Sequence, residues 1–269
     1  MFIDKMQRQR FELKYIINEE TALQIRDFVQ CYLDIDEYSI SQPNLSYHVH
    51  SIYLDNDYLQ TYWETINGNK NRFKLRMRFY STKPGAPIFF EIKRRMNNII
   101  MKQRGGVKQE FVPMLLQGHL PEPHHLVSFS DKSFIALQNF CELITKINAR
   151  PRVHIHYLRE AYLNDDGSVR LTMDRQILAE PHLDFTAKTD MANPRLCYHG
   201  TDVGRNYVVL ELKFTNRFPN WMRELVRIFH CMQRGAAKYC SAIQIWGEKA
   251  FDAKVPVAQD EENWVEGMT

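Results

Sequence analysis

The run Phe73-Lys74-Leu75-Arg76-Met77-Arg78-Phe79 alternates basic and apolar residues with a period of two. On a strand, residues i, i+2 and i+4 share one face. Lys74, Arg76 and Arg78 therefore point one way, and Leu75, Met77 and Phe79 the other. Three like charges along one face repel unless water or an anion meets them. Glu and Lys stand two apart in three further strand-like runs, at Glu12/Lys14, Glu91/Lys93 and Glu211/Lys213. Lys102, Arg104, Arg159 and Arg170 also lie in segments with strand patterning. A guanidinium grips anionic oxygens in pairs, and an ammonium adds compact charge. Carboxylates among such cations supply the oxygen ligands that a hard divalent metal prefers. If the charged faces turn inward together, they make a wet tunnel for a polyanion, because a dry interior could not hold so many cations. Each run also has a plainer reading: Lys74, Arg76 and Arg78 as a solvated sheet face, and Glu91 with Lys93 as a cross-strand ion pair.

The elements that must position these residues follow from pattern and punctuation. Residues 11–17 read as a strand, and Asn18-Glu19-Glu20 as a helix start, with Asn18 as cap and acids in the first turn. Ala22, Ile25, Phe28 and Val29 carry helical spacing. Residues 49–55 form a strand candidate, and Asn56-Asp57 caps a short helix over Tyr58 to Trp63. Strands are expected near 72–80, 87–95 and 97–104, the first two joined at Lys83-Pro84-Gly85. Residues 131–149 are the clearest helix. Residues 152–163 and 169–174 read as a hairpin around Asn164-Asp165-Asp166-Gly167. Residues 207–214 make a last strand and 221–232 a helix. Many antiparallel strands, few helices and no βαβ alternation give an α+β fold, with the sheet expected to close into an antiparallel β-barrel flanked by helices. Residues 1–250 are expected to form one domain, and 251–269 an acidic, weakly patterned tail.

Composition narrows the class. The chain has 269 residues, 44% of them hydrophobic, enough for a substantial core. Lys and Arg total 35 against 32 Asp and Glu, a formal net charge of +3, so bulk charge does not argue for nucleic acid. Five cysteines without a C-x-x-C spacing fit neither a disulfide framework nor a zinc ribbon. His124-His125 and His154-x-His156 lack matching Cys or carboxylate spacing, so no zinc site is expected. Neither a secretory signal nor a run of ~20 apolar residues is evident, and the expected location is the cytoplasm. No P-loop and no G-x-G-x-x-G occurs, so any ATP is held by other means.

The order Glu12-Leu-Lys14-Tyr15, Ser51-Ile-Tyr53-Leu-Asp55, Lys74-Leu-Arg76-Met-Arg78, Phe90-Glu91-Ile-Lys93, Lys102, Tyr157-x-Arg159-x-Ala161, Val169-Arg170-Leu-Thr-x-Asp174, Glu211-x-Lys213 and Ala237-Lys238-Tyr239 resembles the catalytic domain of vacuolar transporter chaperone (VTC) proteins, within the CYTH or triphosphate tunnel superfamily. The resemblance spans about residues 8–246. It implies a basic β-tunnel that transfers the γ-phosphoryl group of ATP to a growing polyphosphate. It casts Lys14, Arg76, Arg78, Lys93, Lys102, Arg159, Arg170 and Lys238 as phosphate contacts, with Tyr157 beside them. Lys74 and Lys213 join them as substrate-binding candidates. Glu211 would hold Mn²⁺ or Mg²⁺, and a separate membrane protein could receive the product. The helix near 221–232 would lie by the tunnel. Hydrolysis of a triphosphate, or binding without turnover, are the alternatives on the same fold. Three departures stand out: Arg10 where the superfamily has Glu, Gly235 where a basic residue is common, and Ala237 where serine is frequent.

Overall fold

The computed structural model describes residues 10–97, 99–198 and 207–251. The expected C-terminal tail falls outside the described residues, apart from Phe251. Ten strands form a single sheet: β1 (Arg10–Asn18), β2 (Asp34–Ile35), β3 (Tyr47–Asp55), β4 (Asn71–Phe79), β5 (Ile88–Met96), β6 (Ile99–Val107), β7 (Arg150–Leu163), β8 (Val169–Pro181), β9 (Arg195–Leu196) and β10 (Tyr207–Thr215). The helices are α1 (Glu19–Val29), α2 (Glu37–Ile40), α3 (Gln60–Ile66), α4 (Val112–Leu116), α5 (Asp131–Ile147), α6 (Asn220–Ile228) and α7 (Lys238–Trp246). The main path runs β1-β10-β8-β7-β3-β4-β5-β6, with β2 paired to β7 and β9 to β8. Every pairing is antiparallel.

Alternation decides the two faces. Leu75, Met77 and Phe79 of β4 and Phe90 and Ile92 of β5 are fully buried on the outer face beneath α5. Gly105 of β6 permits the approach, since a Cβ there would lie 2.9 Å from the Ser133 carbonyl oxygen of α5. A second outer layer joins Tyr15 and Ile17 of β1 and Leu210 and Leu212 of β10 to α1. The Asn18 side chain caps α1, accepting from the Thr21 amide at 2.7 Å.

The expected closed barrel is not formed. Among the described residues β1 and β6, the ends of the path, do not pair with each other. Each edge is taken by a loop instead. The Arg234 amide donates to the Lys14 carbonyl on β1, and the Val127 amide to the Gly106 carbonyl on β6. At these positions the edge carbonyls are already bonded to a loop and are not open to a partner strand. Side chains span the gap, with Lys93 of β5 3.0 Å from Glu12 of β1.

The helix inside the curve is also not the expected one. α6 packs Met222 and Leu225 into the outer layer with α1. α7 lies against the inner face, burying Tyr239, Cys240, Ala242 and Ile243 with Tyr53, Val153 and Ile155. Asp55 fixes that end: its buried carboxylate accepts from the Thr61 and Tyr62 amides of α3, the Thr61 hydroxyl and, at 2.7 Å, the Tyr239 hydroxyl.

Candidate functional site

Between α7 and the inner face of the sheet lies a cavity of about 360 Å³. Lys14, Arg72, Lys74, Arg76, Arg78, Lys93, Arg94, Arg95, Arg159, Lys213 and Lys238 line it, against only two carboxylates, Glu12 and Glu211. Register explains the gathering. Lys14 opposes Glu211, and Glu12 opposes Lys213. Arg76 opposes Glu91, Lys74 opposes Lys93, and Arg159 opposes Asp174.

Ion pairs hold part of the wall in place. Arg159 donates to both oxygens of Asp174, at 2.6 and 2.7 Å, and Lys238 reaches the same carboxylate at 2.7 Å. Arg76 and Lys102 both reach Glu91 at 2.6 Å. Lys14 and Lys213 flank Glu211 at 3.7 and 3.3 Å, and Lys14 also meets Glu12 at 3.1 Å. Burial opposes ionisation of Asp174, Glu91 and Glu211, yet these cations outweigh it and hold all three carboxyls well below the usual range.

Lys93 takes Glu12 across the gap, but Lys74 and Arg78 lack such partners. Among the described residues no carboxylate lies within 4.0 Å of Lys74 or Arg78. Arg78 is 7% exposed and donates to the Tyr157 hydroxyl at 2.8 Å and the Ser51 hydroxyl at 3.3 Å. The nearest polar partner of the Lys74 ammonium is the Cys240 sulfur, at 3.7 Å. Burial lowers the Lys74 pKa, and Lys14 and Lys93 push in the same direction. Tyr53 reports the same field: burial pushes its phenol up, but Arg76, Arg78 and Lys74 overcome it and pull it down to about 8. Burial pulls Lys213 down to about 8 despite Glu211 beside it.

The carboxylates also bear on metal binding. Glu12 and Glu211 sit on neighbouring strands at one wall, as hard oxygen donors. Thr172 stands opposite Glu211 on β8, its hydroxyl buried without a partner. One or two carboxylates completed by ligand phosphates is the usual protein contribution to a Mg²⁺ site, so this donor set fits Mg²⁺ or Mn²⁺.

Of the residues singled out from sequence, Lys14, Lys74, Arg76, Arg78, Lys93, Tyr157, Arg159, Glu211, Lys213 and Lys238 line the cavity. Lys102 stands at its edge, half exposed on Glu91. Arg170 lies apart, 3.1 Å from Asp36. Glu91 and Lys93 do not pair with each other: Glu91 takes Arg76, Lys102 and Arg104, and Lys93 takes Glu12. Sequence reasoning undervalued Glu12, whose Glu-x-Lys spacing matched that of Glu211 and Lys213. It missed Tyr239 as a lining residue, because its partner Asp55 lies far away in the chain, and Asp174 as the carboxylate that holds Arg159 and Lys238 from behind. Gly235 and Ala237 both line the cavity, and Ala237 leaves the α7 N-terminus without a side-chain cap.

Two solved structures show a distant likeness. One, from Bacillus halodurans and described as a candidate adenylate cyclase, is 13% identical, with a TM-score of 0.49 over 90% of this chain and 100% of its own. Another, from Vibrio parahaemolyticus and described in the same words, is 11% identical, with a TM-score of 0.40 over 86% of this chain and 96% of its own. Neither likeness is near enough to bear on activity. No curated protein matches. The sequence profile of the VTC domain does match, over residues 9–247. That span takes in both walls of the cavity and the helix between them, and the chain belongs to the VTC domain family.

Proposed function

We propose that the cavity binds a linear polyphosphate and that the chain transfers the γ-phosphoryl group of ATP to its end. The observation that carries this is the surplus of cations, with Arg78 buried and Lys74 half-buried, both unmatched by any described carboxylate. A buried unpaired cation is costly unless a ligand supplies the counter-charge. A phosphate chain supplies it repeatedly, and the family to which the chain belongs favours the same ligand.

Phosphoryl transfer needs in-line positioning and neutralised charge more than covalent help. A terminal oxygen of the polyphosphate attacks the γ-phosphorus, the bond to the β–γ bridging oxygen breaks, and ADP leaves. Arg76, Arg78 and Arg159 grip non-bridging oxygens, pre-aimed by Glu91, Tyr157 and Asp174. Lys14, Lys74, Lys93, Lys213 and Lys238 spread positive charge along the bound chain. Glu211 and Glu12 would hold Mg²⁺ or Mn²⁺, which supplies further neutralisation of phosphate charge when bound. With a phosphate as nucleophile, no side chain need serve as one. Among the described residues no helix is long and apolar enough to cross a membrane, so the described part offers no helical route for the product across one.

The test is purified protein with ATP and Mn²⁺, its products resolved on a gel. Lengthening chains support the proposal. Free phosphate alone would make the same site a triphosphatase. Tight polyphosphate binding without turnover under either metal would make it a sensor.

A further inference from the structure

The outer face of the sheet carries a feature that the cavity does not use. His48 and His50 lie on β3, and His154 and His156 on β7, all on the side away from the cavity. Register brings them together: His50 opposes His156, and Ile52 opposes His154. One ring nitrogen each from His48, His50 and His156 lies within 4.8 Å of the others. His48 Nδ1 is 2.8 Å from His156 Nε2, and the His50 and His156 rings stack at 4.5 Å.

This layer is otherwise apolar. Ile52, Leu54, Met77 and Phe79 fill the neighbouring positions, and Phe79 stacks on His50 at 5.1 Å. Four imidazoles in such a wall require partners. They find them mainly in one another, and the buried Nδ1 of His154 finds none.

We propose that His48, His50 and His156 form a site for a borderline transition-metal dication of the zinc, cobalt or nickel class, with His154 as the positioning residue behind His50. Imidazole nitrogens suit this class, whereas the oxygen donors around Glu211 suit Mg²⁺ or Mn²⁺. His154 Nε2 lies 3.1 Å from His50 Nδ1, the contact by which an outer partner fixes a ligand's tautomer. Zn–N bonds of ~2.0–2.1 Å place tetrahedral ligand nitrogens about 3.4 Å apart. A modest inward turn of His48, the exposed member, closes the set. Three protein ligands leave a fourth position open to solvent. The ion would tie β3 to β7 directly behind Ser51, Tyr157 and Arg159.

The test uses the full, untagged, metal-stripped chain titrated with Co²⁺ and with Zn²⁺. One equivalent should bind, with a tetrahedral-type visible band and no thiolate charge-transfer band. His48→Ala should weaken binding by at least about tenfold and remove the rise in melting temperature caused by Zn²⁺. His156→Gln should do the same, and Cys31→Ser, at an exposed thiol, should change neither. Because His48 is exposed, its variant keeps the test valid even if His156→Gln misfolds. Absence of saturable binding, a thiolate band, or undiminished binding by His48→Ala would each overturn the assignment.

Discussion

Lys74→Met should stabilise the ligand-free protein while weakening its hold on phosphate. The substitution keeps most of the side-chain volume and removes the ammonium. That ammonium is disfavoured by burial and by Lys14 and Lys93, with no described carboxylate within 4.0 Å. It loses one compensating contact, lying 5.7 Å over the Tyr239 ring, worth about 0.5–1 kcal/mol. Replacing a poorly compensated buried charge with an apolar group is stabilising by ~1–4 kcal/mol at best. After the Tyr239 contact is subtracted, a gain of about 1 kcal/mol remains. At this chain length that raises the melting temperature by roughly 2–4 °C. A hydrogen bond to a charged group contributes ~1.5–3 kcal/mol, so the dissociation constant for tripolyphosphate should rise about 30-fold. At a concentration 100 times the wild-type constant, the ligand stabilises wild type by about 2.7 kcal/mol. The variant would gain only about 0.9 kcal/mol from the same relation. The melting curves should therefore cross over, the variant being higher without ligand and lower with it. Differential scanning calorimetry with and without tripolyphosphate reads both values. A variant that melts lower without ligand, or keeps the full ligand increment, would refute the account of Lys74 as an unmatched cation awaiting phosphate.

Three further outcomes follow from the same geometry. Lys213 loses its proton from about pH 8 in the folded chain, so tripolyphosphate affinity should fall as pH rises from 7 to 9. Lys213→Met should flatten that part of a calorimetric titration series, and an unchanged profile would remove Lys213 from the binding field. The sign for stability runs the other way: an unfolded lysine keeps its proton to about pH 10.4, so this group favours the folded ligand-free state increasingly above pH 8. Ala237→Ser should supply the cap that α7 lacks, adding about 1 kcal/mol to stability in urea unfolding; a destabilised variant would show that the α7 N-terminus already has its partners. Asp55→Ala should lower stability by about 3 kcal/mol or more, because it strands the Tyr239 hydroxyl and the α3 amides. Calorimetry should show that loss, with Asp55→Asn intermediate.

The alternation at 73–79 and the repeated Glu-x-Lys spacing already separated charged from apolar faces, because side chains on a strand must alternate whatever the strand pairs with. Helix starts such as Asn18 were equally local and equally legible. By itself, then, the sequence determined most of the long strands, their facing and, through the order of motifs, the family; it did not show β2, the second half of β8 or α7. It did not determine closure or company. Whether β1 meets β6 depends on residues 233–234 and 125–127 reaching those edges first, which no local pattern encodes. That α7 rather than α6 enters the curve turns on which helix fits the apolar half of the inner face. The pairing of Glu12 with Lys93, 81 residues apart, and the meeting of His48 and His50 with His154 and His156, depend on register between distant strands. Tertiary structure alone decided these, since distant contacts are selected by the free energy of the whole packed sheet and not by any one segment.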